Sequence, residues 1–394
     1  MPPGFKRVEA SAAAIGERSY IFVDKNLLGN DVSFAQTAEL FGRLEGQGLP
    51  SSMHPELGII PLAERIFAPL PTVADPDPRV VVLITDLGTF EGHSFDGFFN
   101  VFDQYPEDYA WEQFAQHSNE KNVLYIHVGK GTKSFDVHHT ASIISHELQH
   151  LLAQHARGLH GGNPPQESWL SEAQAEAAML LAGYYTDQSA LDRYAKRTYK
   201  VPLVSQTYVD YGVSILFAAF LIDRVGGYGG FDRIARMPEV GRAAVEKAFE
   251  IALGVPSSFD AIFGEFISYA FRASNTEEKL PASWSHSGGG GLKVPPLERA
   301  GTVGALPYIV DGELFPYSFA LYELQEDLPP DASIRLEILS TGANTNSDVP
   351  NCNDNLDLLW KPLPGAIAIY GVGCRYGDKR DLLKYRLSIQ TIRR

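Results

Sequence analysis

The stretch SIISHELQHLLAQH, residues 142–155, sets His146 and His150 four positions apart, with Glu147 directly after the first histidine. On a helix, residues four apart project from one face, so the two imidazoles point together and Glu147 lies on the adjoining edge. Ile144, Leu148, Leu151 and Leu152 then fall on the opposite side, which separates a core face from a polar face. Two imidazoles on one face suit a single metal ion. The same pattern also fits the wet side of a surface helix, so a second element has to decide.

The stretch ESWLSEAQAEAAMLL, residues 167–181, supplies that element. Glu172 and Glu176 are four apart and share a face with Trp169, while Leu170, Ala177 and Leu181 line the other side. Two acids aimed inward need a counter-charge, which a cation and its histidines provide. Glu172 is therefore read as the third metal ligand, and Glu176, one turn on, as an acceptor for an imidazole N–H. A solvated acidic face is the alternative. The pattern HExxHxxGxxH, with a third histidine as ligand, is excluded: Ala153 and Ala156 stand at the glycine and histidine positions, and His155 is one place off.

The bulk numbers narrow the field of functions. Apolar residues make up 44% of the 394 and charged residues 21%, a globular composition long enough for two or three domains. A net charge of -15 argues against nucleic acid or anionic membrane as a partner. The longest apolar run, residues 213–222 (VSILFAAFLI), suits a buried core helix better than a membrane span.

The chain is expected to be α+β. Residues 1–135 read as a mixed α/β part, with strands at 18–24, 79–88 and 121–129, a helix at 32–48 and an aromatic-rich loop at 95–114. The run RVVVLITDLG (79–88) has the β-branched continuity of a strand buried on both faces. Residues 136–280 read as helical, with candidate helices at 140–157, 167–183, 208–225, 240–253 and 257–272. SHSGGGGLKVPP, residues 285–296, reads as a linker, and residues 297–394 alternate strands and turns as an antiparallel, sandwich-like β-domain does.

Only two cysteines occur, Cys352 and Cys374, both in the C-terminal part. They are expected to pair as a disulfide, which implies export. The N-terminal segment carries no apolar signal region, so an exported chain would begin here after cleavage. Secretion or another extracytoplasmic location of bacterial type is the expectation. The Asn/Asp-rich segment 341–359 is a possible calcium loop without EF-hand spacing; Asx-rich turns are its plainer reading. His117, His127, His138, His139 and His160 are assigned capping, surface or structural roles.

HExxH followed by W-L-x-E-x-x-x-E, with 21 residues between His150 and Glu172, resembles the gluzincin metallopeptidases. More narrowly, the chain is similar to the hyicolysin-type neutral zinc metallopeptidase family. The likeness is carried by VVVLITDL (80–87), by GFFNVFDQY and HSNEKNVLYIHV leading into the HELQH helix, and by YVDYGVSILFAAFLIDRVGG (208–227). It covers about residues 80–272. The resemblance implies a mixed sheet with an active-site helix, then a helical subdomain. It implies one catalytic Zn2+ on His146, His150 and Glu172, and protein or peptide substrates. Glu147 would act as general base and then acid, and Tyr211 as oxyanion donor, with Tyr208 or a histidine as the other candidates. The strand at 122–128 would be the sheet edge that pairs with an extended substrate.

There are departures from the family. Ser171-Glu172-Ala173 stands where the family has Asn-Glu-Gly, and no GAMEN-type segment appears, which favours an endopeptidase over an aminopeptidase. The rival functions are a catalytically degenerate zinc-binding homologue acting as a surface-binding protein, and an intracellular helical interaction domain in which HELQH is incidental.

Overall fold

The computed structural model describes residues 6–90, 93–129, 135–159, 162–184, 188–205, 209–225, 228–276, 292–325, 329, 332–341, 356–373 and 382–391. The N-terminal part is a five-stranded sheet carrying helices on one face. Strands β1 (Ala10–Ile15) and β2 (Ser19–Asp24) form a hairpin, followed by helices α1 (Phe34–Glu45) and α2 (Ile59–Ile66) and strand β3 (Val80–Thr85). A short pair, β4 (Thr89–Phe90) and β5 (His93–Ser94), precedes β6 (Gly97–Phe99), helix α3 (Glu107–Phe114) and β7 (Asn122–His127). Ser33 caps α1 in a reciprocal box with Gln36, which accounts for the start of that helix. The strand order is β1-β2-β3-β7-β6, with β3 parallel to both its neighbours and β6 antiparallel on β7.

Two expectations are corrected here. Strand β3 is not buried on both faces: Val80, Val82 and Ile84 are fully enclosed, whereas Val81 and Leu83 are half-exposed. Helices cover only the face of Ile21, Val23, Leu124 and Ile126, so the other face alternates in the ordinary period of two. Strand β7 is not the sheet edge either. The three residues Gly97–Phe99 leave the aromatic-rich segment and pair with it, so β6 is the edge. Part of the same segment read as a loop is the helix α3.

The helical part follows: α4 (Val137–Gln154) with a π-helical turn at His155–Leu159, α5 (Ser168–Ala182), α6 (Gln188–Ala195), α7 (Tyr211–Arg224), α8 (Tyr228–Arg236), α9 (Gly241–Leu253) and α10 (Phe259–Ser274). Asp136 caps α4 by accepting from the backbone N–H groups of His138 and His139. Helix α7 is enclosed from Gly212 to Ile222, the position that an all-apolar helix takes at the centre of a globule. Among the described residues no helix is long and apolar enough to cross a membrane.

The C-terminal part contains β8 (Gly301–Val303), β9 (Tyr308–Leu314), β10 (Phe319–Leu324), β11 (Ala332–Thr341), β12 (Leu356–Leu363), β13 (Ala366–Gly373) and β14 (Leu383–Thr391). They form two sheets, β12-β13-β10-β8 and β11-β14-β9. Pairing is antiparallel as expected, except that β8 runs parallel to β10. Ala320, Tyr322, Ile367 and Ile369 meet Leu314, Leu383, Tyr385, Leu387 and Ile389 in a core between the sheets. The alternate residues Phe319, Leu321, Ala366, Ala368 and Tyr370 turn outward into the main core beside the helices. The described end of the stretch read as a linker is packed as well, with Leu292 and Val294 buried in that core. The molecule is α+β, and its β-layers share a hydrophobic core with the helices.

Gly97 holds the edge strand against α4. A Cβ there would lie 2.7 Å from both the Ile143 side chain and the Tyr125 carbonyl oxygen. Gly97→Ala is expected to lower the unfolding free energy by about 1–3 kcal/mol through overpacking, read by chemical denaturation. A variant as stable as the parent would show that β6 does not sit this close to the helix.

Candidate metal centre

Helices α4 and α5 bring the four candidate residues together. Nε2 of His146 and Nε2 of His150 are 3.1 Å apart. Oε2 of Glu172 lies 3.3 Å from the first nitrogen, and Oε1 of Glu172 lies 3.6 Å from the second. Two donors bound at about 2.0–2.1 Å to one tetrahedral ion are separated by about 3.3 Å. The triangle therefore has the size that a single first-row cation requires. His146, His150 and Glu172 are the one group of three or more such side chains that can hold a metal among the described residues. Oε2 of Glu172 is also buried without a well-aligned hydrogen bond, which marks it as an acceptor suited to a cation.

The far nitrogens of both imidazoles are oriented from α5. Nδ1 of His146 is 3.3 Å from Oε1 of Glu176, a carboxylate that is only 2% exposed. Nδ1 of His150 is 3.2 Å from Oγ of Ser171. The Glu176 carboxylate can only accept, so it keeps a proton on Nδ1 of His146, whereas the Ser171 hydroxyl can either accept or donate. With the proton on Nδ1 in both rings, each Nε2 would be left for a metal. The role expected for Glu176 thus has its geometry. Ser171 was seen in the sequence only as a departure; its place just before Glu172 was the available signal.

The charges reinforce one another. Burial works against a proton on His146, but Glu172 and Glu176 outweigh it and hold the imidazole well above its usual pKa. Burial and the neighbouring His146 push His150 down to about 4, so it is neutral at pH 7. Burial would raise Glu172, yet the close contact with His146 and the electrostatic pull of the two imidazoles hold it lower than an ordinary glutamate. Glu147 moves upward, chiefly by burial and then by the charge of Glu172, in the direction a proton acceptor near neutral pH needs.

Glu147 stands off the triangle. Its Oε2 accepts a hydrogen bond of 3.0 Å from the backbone N–H of Phe99 on the edge strand. No sequence signal marks that donor, because any residue carries an amide. Tyr211 opens α7 directly after its capping residue Asp210, and its half-exposed ring lies 6.2 Å from the His146 ring. Burial, then the carboxylates Glu172, Glu176, Glu147 and Asp96, raise its pKa, so the phenol keeps its proton.

Among the described residues, no other histidine joins the triangle. His139 faces Asp96 at 3.8 Å, His138 packs on Tyr184, His117 on Trp111, and Nδ1 of His127 accepts from Leu87 N–H. His155 begins the π-helical turn beyond α4 and is not among the ligand group. Tyr208, His160, Cys352, Cys374 and most of the calcium segment, residues 342–355, lie outside the described residues.

The connection between the two helices is pinned by Arg157, a guanidinium only 2% exposed. It donates to the carbonyls of Pro164, Ile234, Met237 and Glu239 at 2.8–3.2 Å. Further on, Trp169 donates through Nε1 to Glu167 at 2.7 Å and anchors the first turn of α5. No protein-family model matches the chain, and no curated protein matches it.

Removing an orienting group should weaken metal without unfolding the protein. Ser171→Ala and Glu176→Gln are each expected to lower cobalt(II) or zinc affinity by about 10–100-fold, measured by competition with a chromophoric chelator. Parent affinity in both variants would show that these contacts do not orient the imidazoles.

Proposed function

We propose that the chain is a zinc-dependent metalloendopeptidase with a gluzincin-like arrangement of its ligand helices. The observation that carries this reading is the triangle of His146, His150 and Glu172 with the carboxylate of Glu147 held beside it. Two imidazoles and one carboxylate are the donor set of a catalytic zinc site, since three protein ligands leave a position for chemistry. When bound, zinc supplies Lewis acidity toward a water and toward a substrate carbonyl.

The protein's own groups have distinct tasks. Glu147 takes a proton from the attacking water and returns it to the leaving amine. The Phe99 amide holds one oxygen of Glu147 at 3.0 Å, which limits the carboxylate's rotation and leaves the other oxygen to work. Tyr211, protonated and half-exposed next to His146, donates to the oxyanion that develops on the substrate.

The substrate enters extended along β6. Phe98 pairs with Tyr125, so in an antiparallel ladder Gly97 and Phe99 direct their backbone groups away from β7, toward the side where Glu147 stands. An added strand there brings its backbone to the metal site.

Purified protein is expected to carry about one zinc per chain and to digest casein until a chelator is added. Glu147→Gln should keep its zinc and lose about 10²–10⁴-fold in cleavage rate. Zinc without cleavage in the parent protein would instead favour the degenerate, surface-binding homologue. Absence of stoichiometric zinc would end both readings.

Export belongs to the same proposal and rests on Cys352 and Cys374. Mass spectrometry of the unreduced protein is expected to find the peptides of the two cysteines joined. Two free thiols would remove the argument for an oxidising compartment.

A further inference from the structure

Two buried routes join the β-layers to the start of α5, the helix that carries Glu172. The first is aromatic. Trp169, in the first turn of α5, meets Phe259 of α10 edge-on at 5.6 Å between ring centres. Phe259 in turn meets Tyr317 at 5.3 Å, and Phe263 meets the same tyrosine at 5.5 Å. Tyr317 lies between β9 and β10 and is 1% exposed.

The second route is polar. The Tyr317 hydroxyl donates to Oδ1 of Asp260 at 2.9 Å and accepts from Nη1 of Arg242 at 3.0 Å. Arg242 follows Gly241, whose N–H donates to Oε1 of Gln166 at 2.6 Å. Gly241 has φ +55°, and a Cβ on it would lie 2.2 Å from the Glu167 carboxyl carbon. Gln166 and Glu167 are the last residues before α5, so the aromatic route ends within one turn of Glu172 and the polar route within about two.

The backbone of Tyr317 carries a cost of its own. Its φ is +55°, a left-handed conformation that strains a bulky L-residue. It is held there from both sides: its N–H donates to the Gly371 carbonyl at 2.8 Å, and its carbonyl accepts from Leu203 N–H at 2.9 Å. That strained backbone aims the ring out of the β-layer and into the helices.

We propose that Tyr317 is a positioning residue for the ligand carboxylate of Glu172, so that the C-terminal β-layers form part of the metal centre. The inference rests on the zinc site proposed above and extends it to a residue that touches neither metal nor substrate. Glu172 and Glu176 must meet two imidazoles on another helix within a few tenths of an ångström. The long connection between α4 and α5 does not set that register alone. The contacts of Tyr317 at the start of α5 complete it.

The test compares Tyr317→Phe and Tyr317→Leu in the full chain. Ile389→Ala, in the separate core between the two sheets, is the stability control. Zinc affinity is read by chelator competition, and ligand geometry by the visible spectrum of the cobalt(II) protein. Tyr317→Leu is expected to weaken zinc by roughly tenfold and to alter the cobalt spectrum. Tyr317→Phe, which keeps the ring but loses the bonds to Asp260 and Arg242, should fall between it and the parent. If Tyr317→Leu does not fold, Tyr317→Phe carries the comparison. Parent affinity and spectrum in the folded Tyr317 variants would overturn the proposal. So would an equal loss of zinc in Ile389→Ala, because general destabilisation would then account for it. A parent chain that binds no zinc would refute the zinc site itself, and this proposal with it.

Discussion

The structure depends on the contact between the polar faces of α4 and α5, where two histidines and two glutamates are taken out of water together. Charges buried this deeply are costly unless each finds an opposite charge or a hydrogen bond at short range. His146 sits between Glu172 and Glu176 at 3.3 Å on either side, and His150 stays neutral beside it. The arrangement tolerates little displacement. Separating the helices would cost Glu176, only 2% exposed, its contact with the imidazole of His146.

Much of the remaining fold serves to hold that contact. The apolar face of α4, Ile144, Leu148, Leu151 and Leu152, is completely buried and fixes the helix to the rest of the core. Arg157 gathers carbonyls from the α4–α5 connection and from the α8–α9 region, so the chain cannot swing away after the second histidine. Gln166 and Glu167 then tie the start of α5 to Gly241, and Trp169 anchors it in an aromatic core reaching Tyr317. The group that could hold a metal therefore draws support from elements far apart along the chain.

Legibility followed periodicity and length. Helices α4, α5, α7, α9 and α10 were readable because each has ten or more residues with a strong apolar pattern or clear stops. Strands β2, β3 and β7 were readable from their β-branched runs. The three residues of β6 were not, because so short a strand has no period and exists only through its pairing with β7. Helix α3 was missed for a related reason: only Ala110 of its eight residues is buried, so it shows no apolar stripe. The parallel strand β8 has three residues and the same lack of signal.

The sequence by itself determined which side chains share a helix face: His146 with His150, Glu172 with Glu176, and the leucines opposite. Helical geometry is local, so spacing alone settles it. Spacing also indicated the partner helix, since two inward acids require a counter-charge. Only the tertiary structure decided what lies across from each group. It placed the Phe99 amide on Glu147, Ser171 on His150, Tyr211 near His146, and the β-layers against the helical core. Those contacts join residues far apart along the chain: Phe99 and Glu147 are 48 positions apart, and Ser171 and His150 are 21 apart. They depend on how whole elements stack, and no local pattern of residue types encodes that.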